Sequence, residues 1–326
     1  MSNDLTSALT EIGVLRLGGE RAAVIRGALA SGFLAQCREE VSEESLSAAT
    51  GLGVGRVRGL CAVLCEFGVL DRGEGGDYVL SPLYALLFDA DADRLATGVL
   101  EGAAVRGRLL EGLFTSSQAV DYQDLPDAER AAVAAGVTVD PFSLLAHMAM
   151  GALVDAVPGW RDRFEADGTR LLELGCGVAG GLLTWLQMYP GLTAVGIDLA
   201  DDLIDIAQAR AKLLGVAERV TFVTGDATAY ADASPFDCAH WSQFFFPQET
   251  RKAALANAFA RLRPQGLLIA PVLPSDQFAL NSVLLEAWDV PALTAEELVA
   301  EFEAAGFGDA EVVPTLAATV VAARRP

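Results

Sequence analysis

The sequence predicts an α/β protein in which a doubly wound, mainly parallel sheet follows a mainly helical N-terminal domain. Three observations support this fold class. From residue 168 onward, short apolar runs alternate with helical patterns, which is typical of right-handed crossovers between parallel strands. The first run breaks at once into the closely spaced glycines of LLELGCGVAG. The final segment, DAEVVPTLAATVVAARR, reads as two strands with a short link, which predicts an antiparallel hairpin at the sheet edge.

Composition narrows the class of protein. The 326 residues carry a formal net charge of −21, which removes the attraction that brings proteins to nucleic acids or anionic membranes and favours a small-molecule partner. There is no apolar run of about 18 residues and no basic-then-apolar leader, so neither a membrane span nor a secretory signal is predicted. The five scattered cysteines indicate a reducing, cytoplasmic location, core packing and no metal site.

Residues 1–95 predict a winged-helix dimerisation domain. Two short helical patterns flank the turn GLGVG, and LDRGEGGDYVLSP reads as a strand, a glycine turn and a second strand. Such a fold can bind DNA, but the predicted second helix offers only Arg56 and Arg58 and is otherwise apolar. A protein interface, and hence a homodimer, is therefore favoured.

The sequence of residues 96–165 predicts a helical linker that also covers the active site. The last helical pattern, PFSLLAHMAMGALVDAV, carries His147 and Met148 just before the glycine-rich unit. One interpretation is that its methionines pack against neighbouring helices. The other is that the helix covers a nucleotide site, contributing His147 to catalysis and Met148 to a substrate pocket.

Residues 166–326 predict a nucleotide-binding unit. The glycines after the first strand allow the backbone to approach a ligand closely. The next strand, TAVGID, ends in Asp198, about 20 residues after the glycine turn, and an acid at this spacing accepts hydrogen bonds from ribose hydroxyls. The pattern predicts a nucleotide at the carboxyl ends of a parallel sheet.

The remaining elements of this unit follow from their apolar patterns. Strands are predicted at 170–174, 193–198, 220–224, 236–241 and 266–271, and helices at 178–188, 201–213, 248–261 and 276–288. Thr294, with Glu297 at the third helical position, predicts a capping box for the helix TAEELVAEFEAAG.

Three landmarks together resemble the class I S-adenosylmethionine-dependent methyltransferases with their Rossmann-like fold. They are ELGCGVAG after the first strand, GIDLA at the end of the second and VTGDAT at the end of the third. With the winged helix, the whole chain is similar to the small-molecule O-methyltransferase branch, whose N-terminal domain forms a homodimer. The resemblance implies S-adenosyl-L-methionine as the cofactor.

The resemblance also implies the residues of the cofactor site. Gly175 and Gly177 line the methionine part of the cofactor in this analogy, and Glu173 lies near its ammonium group. The other cofactor-binding candidates are the ribose-binding Asp198 with Leu199, Asp226 at the adenine amino group with Ala227, and Ser242 at the end of the fourth strand. The family's third glycine is replaced by Ala179, with Gly180 beside it.

The acceptor side departs from the family pattern. The branch commonly carries a catalytic histidine after the fourth strand, whereas the stretch CAHWSQFFFPQET has Phe245 or Phe246 at that position. The catalytic candidates are His147, His240 and Gln243. Alternation along the strand puts His240 and Trp241 on opposite faces. The candidates for an apolar substrate pocket are Met148, Trp241, Phe245 and Trp288.

A site poor in histidine favours catalysis by alignment. A sulfonium is already an activated methyl donor, so the protein mainly aligns the acceptor and excludes water. The sequence therefore predicts a methyltransferase for an apolar small molecule of specialised metabolism, with O-, N- and C-methylation all open. The alternatives are an S-adenosylmethionine-binding enzyme that has turned to cyclisation or decarboxylation and, less favoured, a ligand-responsive DNA-binding regulator.

Overall fold

The computed structural model describes residues 2–115, 122–315 and 318–326. The chain divides into two compact units, Met1–Glu101 and Gly102–Pro326. The elements of the first unit are α1 (Ser2–Ala30), α2 (Glu43–Thr50), α3 (Val54–Glu66), β1 (Leu70–Arg72), β2 (Tyr78–Leu80) and α4 (Pro82–Asp89). Helix α5 (Asp93–Gly112) begins in this unit and ends in the second.

The first unit contains a helix–turn–helix followed by a small hairpin. Ser42 caps α2 by accepting a hydrogen bond from the Ser45 backbone N–H. Gly51, at a φ of 70°, ends that helix in the left-handed conformation that glycine adopts without strain. Strands β1 and β2 then pair antiparallel after α3. This order of elements is compatible with a winged helix.

Among the described residues, the helices were compared in length and apolarity with a membrane span. No single helix is long and apolar enough to cross a membrane, and α2 and α3 reach that length and apolarity only as a pair bent by 110°. The same residues contain no group of three or more His, Cys, Asp or Glu side chains that could hold a metal ion.

The second unit is built on a seven-stranded sheet. Its strands are β3 (Arg170–Leu174), β4 (Thr193–Asp198), β5 (Val220–Thr224), β6 (Phe236–Trp241), β7 (Leu262–Pro271), β8 (Gly308–Pro314) and β9 (Thr319–Arg324). Its helices after α5 are α6 (Asp127–Gly136), α7 (Leu144–Ala156), α8 (Trp160–Phe164), α9 (Gly180–Met188), α10 (Asp201–Leu213), α11 (Gln248–Arg261), α12 (Phe278–Ala287) and α13 (Ala295–Ala304).

The strand order places a crevice at the carboxyl ends of β3 and its neighbours. The order is β5-β4-β3-β6-β7-β9-β8. The first five strands in this order run parallel, and β9 pairs antiparallel with both β7 and β8. Because the order reverses between β3 and β6, this is the point at which open α/β sheets bind ligands. The predicted fold class, a doubly wound sheet with a terminal hairpin, is confirmed.

Helices cover both faces of the sheet. Alternation along the strands sends Leu171 and Cys238 into a core with α7 and α9, whereas Leu172 and Ala239 enter a second core with α11 and α13. The sheet is therefore buried on both sides, which leaves its carboxyl edge as the place where a crevice forms.

The predicted strands and helices of the second unit agree with the structure to within two residues, except at the start of one strand. Strand β7 starts at Leu262 rather than at residue 266, because Leu262 pairs with Phe236 across a bulge before Leu267 pairs with Cys238. The proline and glycine in this stretch, LRPQG, are typical of a turn, so the sequence does not predict that Leu262 belongs to the strand. The capping box of Thr294 and Glu297 is present as predicted.

The start of α9 explains why a glycine follows the family's third glycine position. Ala179 holds that position at a φ of 57°, in the left-handed region, and serves as the N-cap of α9. Gly180 lies so close to the preceding segment that a Cβ would come within 2.1 Å of the Val139 carbonyl oxygen. Gly180 is therefore required by packing of residues 137–143 against α9.

Candidate active site

The glycine turn between β3 and α9 is bound to the end of β4. The Gly175 and Cys176 N–H groups both donate to the Ile197 carbonyl at 2.9 Å, and the Gly177 N–H donates to Asp198 Oδ2 at 2.7 Å. Gly175 and Gly177 adopt φ angles of 72° and 51°, which glycine tolerates without a steric penalty. The turn and the carboxylate thus form one unit in the crevice.

Asp198 is the acid at the centre of this unit. Its Oδ1 accepts a second backbone hydrogen bond, from the Ala200 N–H at 3.0 Å. Burial raises the pKa of Asp198 above its ordinary value, while the N–H groups of Ala200 and Gly177 act in the opposite direction. Ribose hydroxyls would supply further donors that stabilise the ionised form. The adjoining Leu199 is exposed.

Glu173, at the end of β3, has one oxygen that lacks a partner. The residue is only 4% exposed. Its Oε1 lies 2.7 Å from His240 Nδ1, whereas the buried Oε2 has no hydrogen-bond partner among the described residues. A buried carboxylate oxygen without a donor is costly unless a ligand satisfies it. An ammonium group of a bound cofactor fits this requirement.

A third acid follows the next strand of the sheet. Asp226 is exposed just beyond β5, and Thr228 donates to it twice, from its N–H at 2.8 Å and its hydroxyl at 2.7 Å. The neighbouring Ala227 is buried, and its carbonyl accepts from Asn257 Nδ2 at 2.7 Å. Carboxylates therefore stand at the ends of three adjacent parallel strands, which is compatible with a nucleoside ligand lying across them.

Helix α6 lies over the glycine turn. Ala134 on α6 packs with Val178 of the turn and with Ala200 at the start of α10. Arg130 holds this arrangement: it pairs with Asp202 at 2.9 Å and donates to two carbonyls in the segment before α6. A buried arginine with this many acceptors fixes the position of α6 firmly.

An aromatic cavity lies among residues of the same unit. The Phe245 and Trp288 rings stack with their centroids 6.2 Å apart, and Tyr122 contacts both rings at 4.8 and 5.3 Å. The cavity has a volume of about 70 Å³ and is lined by Arg106, Val133, Val137, Phe244, Phe245, Leu273, Asn281, Leu284, Leu285 and Trp288. Arg106 and Asn281 supply its polar side chains, so the surface offered to a ligand is mainly apolar.

Two predicted residues on α7 do not reach this cavity. The helix packs against α9, with Met150 meeting Gly181. The His147 Nδ1 lies 3.0 Å from the Ser143 carbonyl of its own helix, and Met148 is 58% exposed. Neither residue is among those that line the cavity, so the catalytic role of His147 and the pocket role of Met148 stay predictions without support from this cavity.

The stretch after β6 requires a correction at Trp241. Trp241 is completely buried on the α13 face of the sheet, where it contacts Phe246 and Arg251, so it does not line the substrate pocket. Gln243 is also completely buried: its Nε2 donates to the Pro271 carbonyl at 3.1 Å, whereas its Oε1 has no hydrogen-bond partner among the described residues, and its catalytic role stays a prediction. His240 lies on the face opposite Trp241 and is held by Glu173, outside the cavity lining.

The two phenylalanines at the family's histidine position have different environments. Phe245 lines the cavity, whereas Phe246 packs on the glycine turn, where a Cβ on Gly175 would come within 3.0 Å of its ring. Ser242 lies beside the same turn, 3.4 Å from that Cβ position. The structure therefore brings Phe245 and Trp288 together at the cavity and Ser242 to the glycine turn.

Sequence reasoning missed Arg106, Tyr122 and Asn281. No local signal marks them: Arg106 and Arg108 both stand in the same helical segment, VRGRLLEG, and look equivalent in the sequence. In the structure, Arg108 pairs with Glu129 on the surface while Arg106 lines the cavity. Only the tertiary packing of α5 distinguishes the two.

Comparisons with known proteins agree with this geometry. Residues 171–266 match the model of a family described as a methyltransferase domain. The release factor glutamine methyltransferase of Rhodospirillum rubrum is 30% identical over 234 residues, which cover 64% of this chain and 70% of that protein. The chain belongs to the S-adenosylmethionine-dependent methyltransferases.

Two further comparisons show how much of the chain is similar to other proteins. The release factor glutamine methyltransferase of Chlorobaculum tepidum is 33% identical, but the match spans only 33% of this chain and 37% of that protein. A solved structure titled mitomycin 7-O-methyltransferase MmcR has a TM-score of 0.72 at 17% identity, over the full length of both chains. The chain is thus similar in fold to that protein over its whole length, including the N-terminal helical part.

Replacing His240 tests whether it supports Glu173. We expect His240→Ala to lower the free energy of unfolding by about 1–3 kcal/mol, because the buried carboxylate loses its hydrogen-bond donor. His240→Gln, which keeps a donor group, should recover a large part of this loss. Urea unfolding of the three proteins measures the effect. Equal stability of wild type and His240→Ala would show that the contact contributes nothing.

Proposed function

We propose that this chain transfers the methyl group of S-adenosylmethionine to a small molecule with an aromatic or otherwise apolar body. The observation that carries the proposal is the buried Glu173 Oε2 beside the glycine turn, which has no partner in the described part of the chain, with Asp198 and Asp226 at the next two strand ends. A ligand that carries both an ammonium group and a nucleoside satisfies all three acids.

The residues of the crevice would hold the cofactor in parts. Glu173 Oε2 would accept from the ammonium group, and Asp198 from the ribose hydroxyls. Asp226 would meet the adenine amino group, with Leu199 and Ala227 as apolar neighbours of the nucleoside. Gly175 and Gly177, together with Ser242, would lie along the methionine part.

Catalysis on this site would proceed by alignment and exclusion of water. The bound cofactor supplies a methyl group on a positively charged sulfur, which needs no further activation. The described lining of the aromatic cavity contains no histidine or carboxylate that could serve as a base. Burial raises the pKa of nearby Tyr122 well above its ordinary value, so its hydroxyl stays protonated. An acceptor that is already nucleophilic suits this environment.

A small-molecule acceptor is favoured over a protein side chain. The aromatic cavity is small, and its wall is formed mainly by buried or half-buried apolar side chains such as Phe245 and Leu284. The whole-chain likeness to a protein named as a mitomycin O-methyltransferase supports an oxygen acceptor and a role in specialised metabolism. The similarity to release factor methyltransferases is weaker support for their substrate, because it leaves a third of this chain unmatched.

The first unit is proposed as a dimerisation domain. Helix α1 exposes Leu5, Leu9 and Ile12 as a stripe at helical spacing, and exposed apolar side chains of this kind are typical of a protein interface. The same helix also exposes Val14, Leu15 and Leu17, which lie outside this stripe. A second copy of this chain is the proposed partner, because the stripe can meet its equivalent across a two-fold axis.

Cofactor binding tests the proposed function. We expect wild-type protein to bind S-adenosylhomocysteine in a calorimetric titration, and Asp198→Asn to weaken that binding by about 10- to 100-fold, because hydrogen bonds to a charged acceptor are lost. The exposed Asp205→Asn on α10 serves as the matched control and should bind like wild type.

The same titration at lower pH has a defined sign. Since ribose hydroxyls favour ionised Asp198, and burial raises its pKa in the free protein, affinity should fall as the pH is lowered through that pKa. Asp198→Asn should show a flatter dependence. No binding of S-adenosylhomocysteine by the wild type at any pH would overturn the proposed function.

The dimer is tested by light scattering after size exclusion. We expect wild-type protein to elute with twice the mass of one chain, and the double variant Leu9→Lys, Ile12→Lys to elute as a monomer, because two charges enter the apolar interface. Glu11→Lys, on the same helix, is the control for added positive charge and should remain dimeric. A dimer that survives the double variant, or a monomeric wild type, would refute this interface.

A further inference from the structure

Arg106 is a positively charged group in an apolar cavity. It lines the cavity together with Phe244, Leu284 and Trp288, and its Nη2 donates to Asn281 Oδ1. Among residues 2–115, 122–315 and 318–326, no ion pair joins Arg106 to a carboxylate. Burial also lowers the pKa of this guanidinium, which shows that its surroundings disfavour the charge.

The two fully buried arginines that the structure describes in this unit, unlike the half-buried Arg106, have acidic partners. Arg130 pairs with Asp202 at 2.9 Å, and Arg251 pairs with Glu301 at 2.6 Å. Burying a guanidinium without a counter-charge costs free energy, and the protein avoids that cost at both of these positions. The chain has 44 acidic residues against 23 basic ones, so acids were abundantly available as partners. Arg106 nevertheless has a neutral amide as its described partner.

The position of Arg106 in the cavity determines which kind of ligand could supply its counter-charge. The guanidinium is a planar fork of N–H donors, which matches the two oxygens of a carboxylate. Asn281 accepts from Arg106 through its oxygen, which fixes the fork at the cavity wall and leaves the amide N–H groups as donors. The Phe245 and Trp288 side chains provide aromatic, apolar walls in the same cavity.

We propose that Arg106 and Asn281 bind a carboxylate carried by a planar, aromatic methyl acceptor. This inference rests on the proposed function, and it identifies the substrate class as aromatic acids. Arg106 would pair with the carboxylate while the ring lies against the aromatic side chains. The pairing would also fix the rotation of the ring, and therefore which of its atoms faces the methyl donor.

The preference for an acid that the Arg106–carboxylate contact would provide has to act at short range. The net charge of −21 repels anions at a distance, so long-range attraction does not bring an acid to the cavity. The contact with Arg106 is partly buried and is screened by salt much less than exposed charges are. The preference for an acid over its neutral amide should therefore persist when salt is added.

Benzoate and benzamide form a matched pair of probes, because they share size and shape and differ in charge. Both are titrated by ligand-detected nuclear magnetic resonance into protein saturated with S-adenosylhomocysteine, at low and at moderate salt. We expect wild-type protein to bind benzoate about tenfold more tightly than benzamide, as one charge-assisted hydrogen-bonded pair supplies about 1.4 kcal/mol or more. Arg106→Gln should remove the preference and leave benzamide binding unchanged.

Arg108→Gln is the matched control, because Arg108 lies two residues further along α5 and pairs with Glu129 at the surface. It should retain the wild-type preference. The proposal is overturned if wild type binds both probes equally, if it binds neither, or if the preference survives in Arg106→Gln. Calorimetry with S-adenosylhomocysteine distinguishes failure of the proposed function from failure of the proposed substrate class. If wild type binds S-adenosylhomocysteine but shows no preference for benzoate, only the substrate class is refuted.

Discussion

The carboxyl end of β4 is the point on which the cofactor site depends. The Ile197 carbonyl accepts the first two N–H groups of the glycine turn, and Asp198 accepts the N–H of Gly177. These contacts set the turn against the strand, and the register of β4 with β3 then places Glu173 nearby on the same edge of the sheet. A change in this region would displace the acids that a nucleoside cofactor requires, even where the rest of the sheet kept its fold.

The donor and acceptor sides of the site follow different physical rules. On the proposed donor side, acids at strand ends would meet the fixed charges and hydroxyls of one cofactor, so a few residue positions would determine binding. On the proposed acceptor side, aromatic rings from separate elements form a mainly apolar surface, and the single guanidinium of Arg106 would orient a ligand on it. Many acceptors can use such a surface, which is why the cofactor class is easier to infer than the substrate.

The sequence predicts the fold closely because its signals are local. Apolar runs, glycine turns and the Thr294 cap each depend on neighbouring residues, and the single strand with a misplaced start, β7, contains a proline and a bulge. The acceptor cavity combines α5, α6, α12 and the segment after β6, and no local pattern reports which faces meet. The sequence therefore places Trp241 in the pocket and gives no signal for Arg106.

A structure with bound S-adenosylhomocysteine tests the central claim most directly, because that claim concerns where the donor lies relative to the aromatic cavity. The account predicts the ammonium group within hydrogen-bond distance of Glu173 Oε2, the ribose hydroxyls on Asp198, and the sulfur facing the cavity that Phe245, Trp288 and Arg106 line. Binding at another place, or a sulfur that faces away from this cavity, would contradict it.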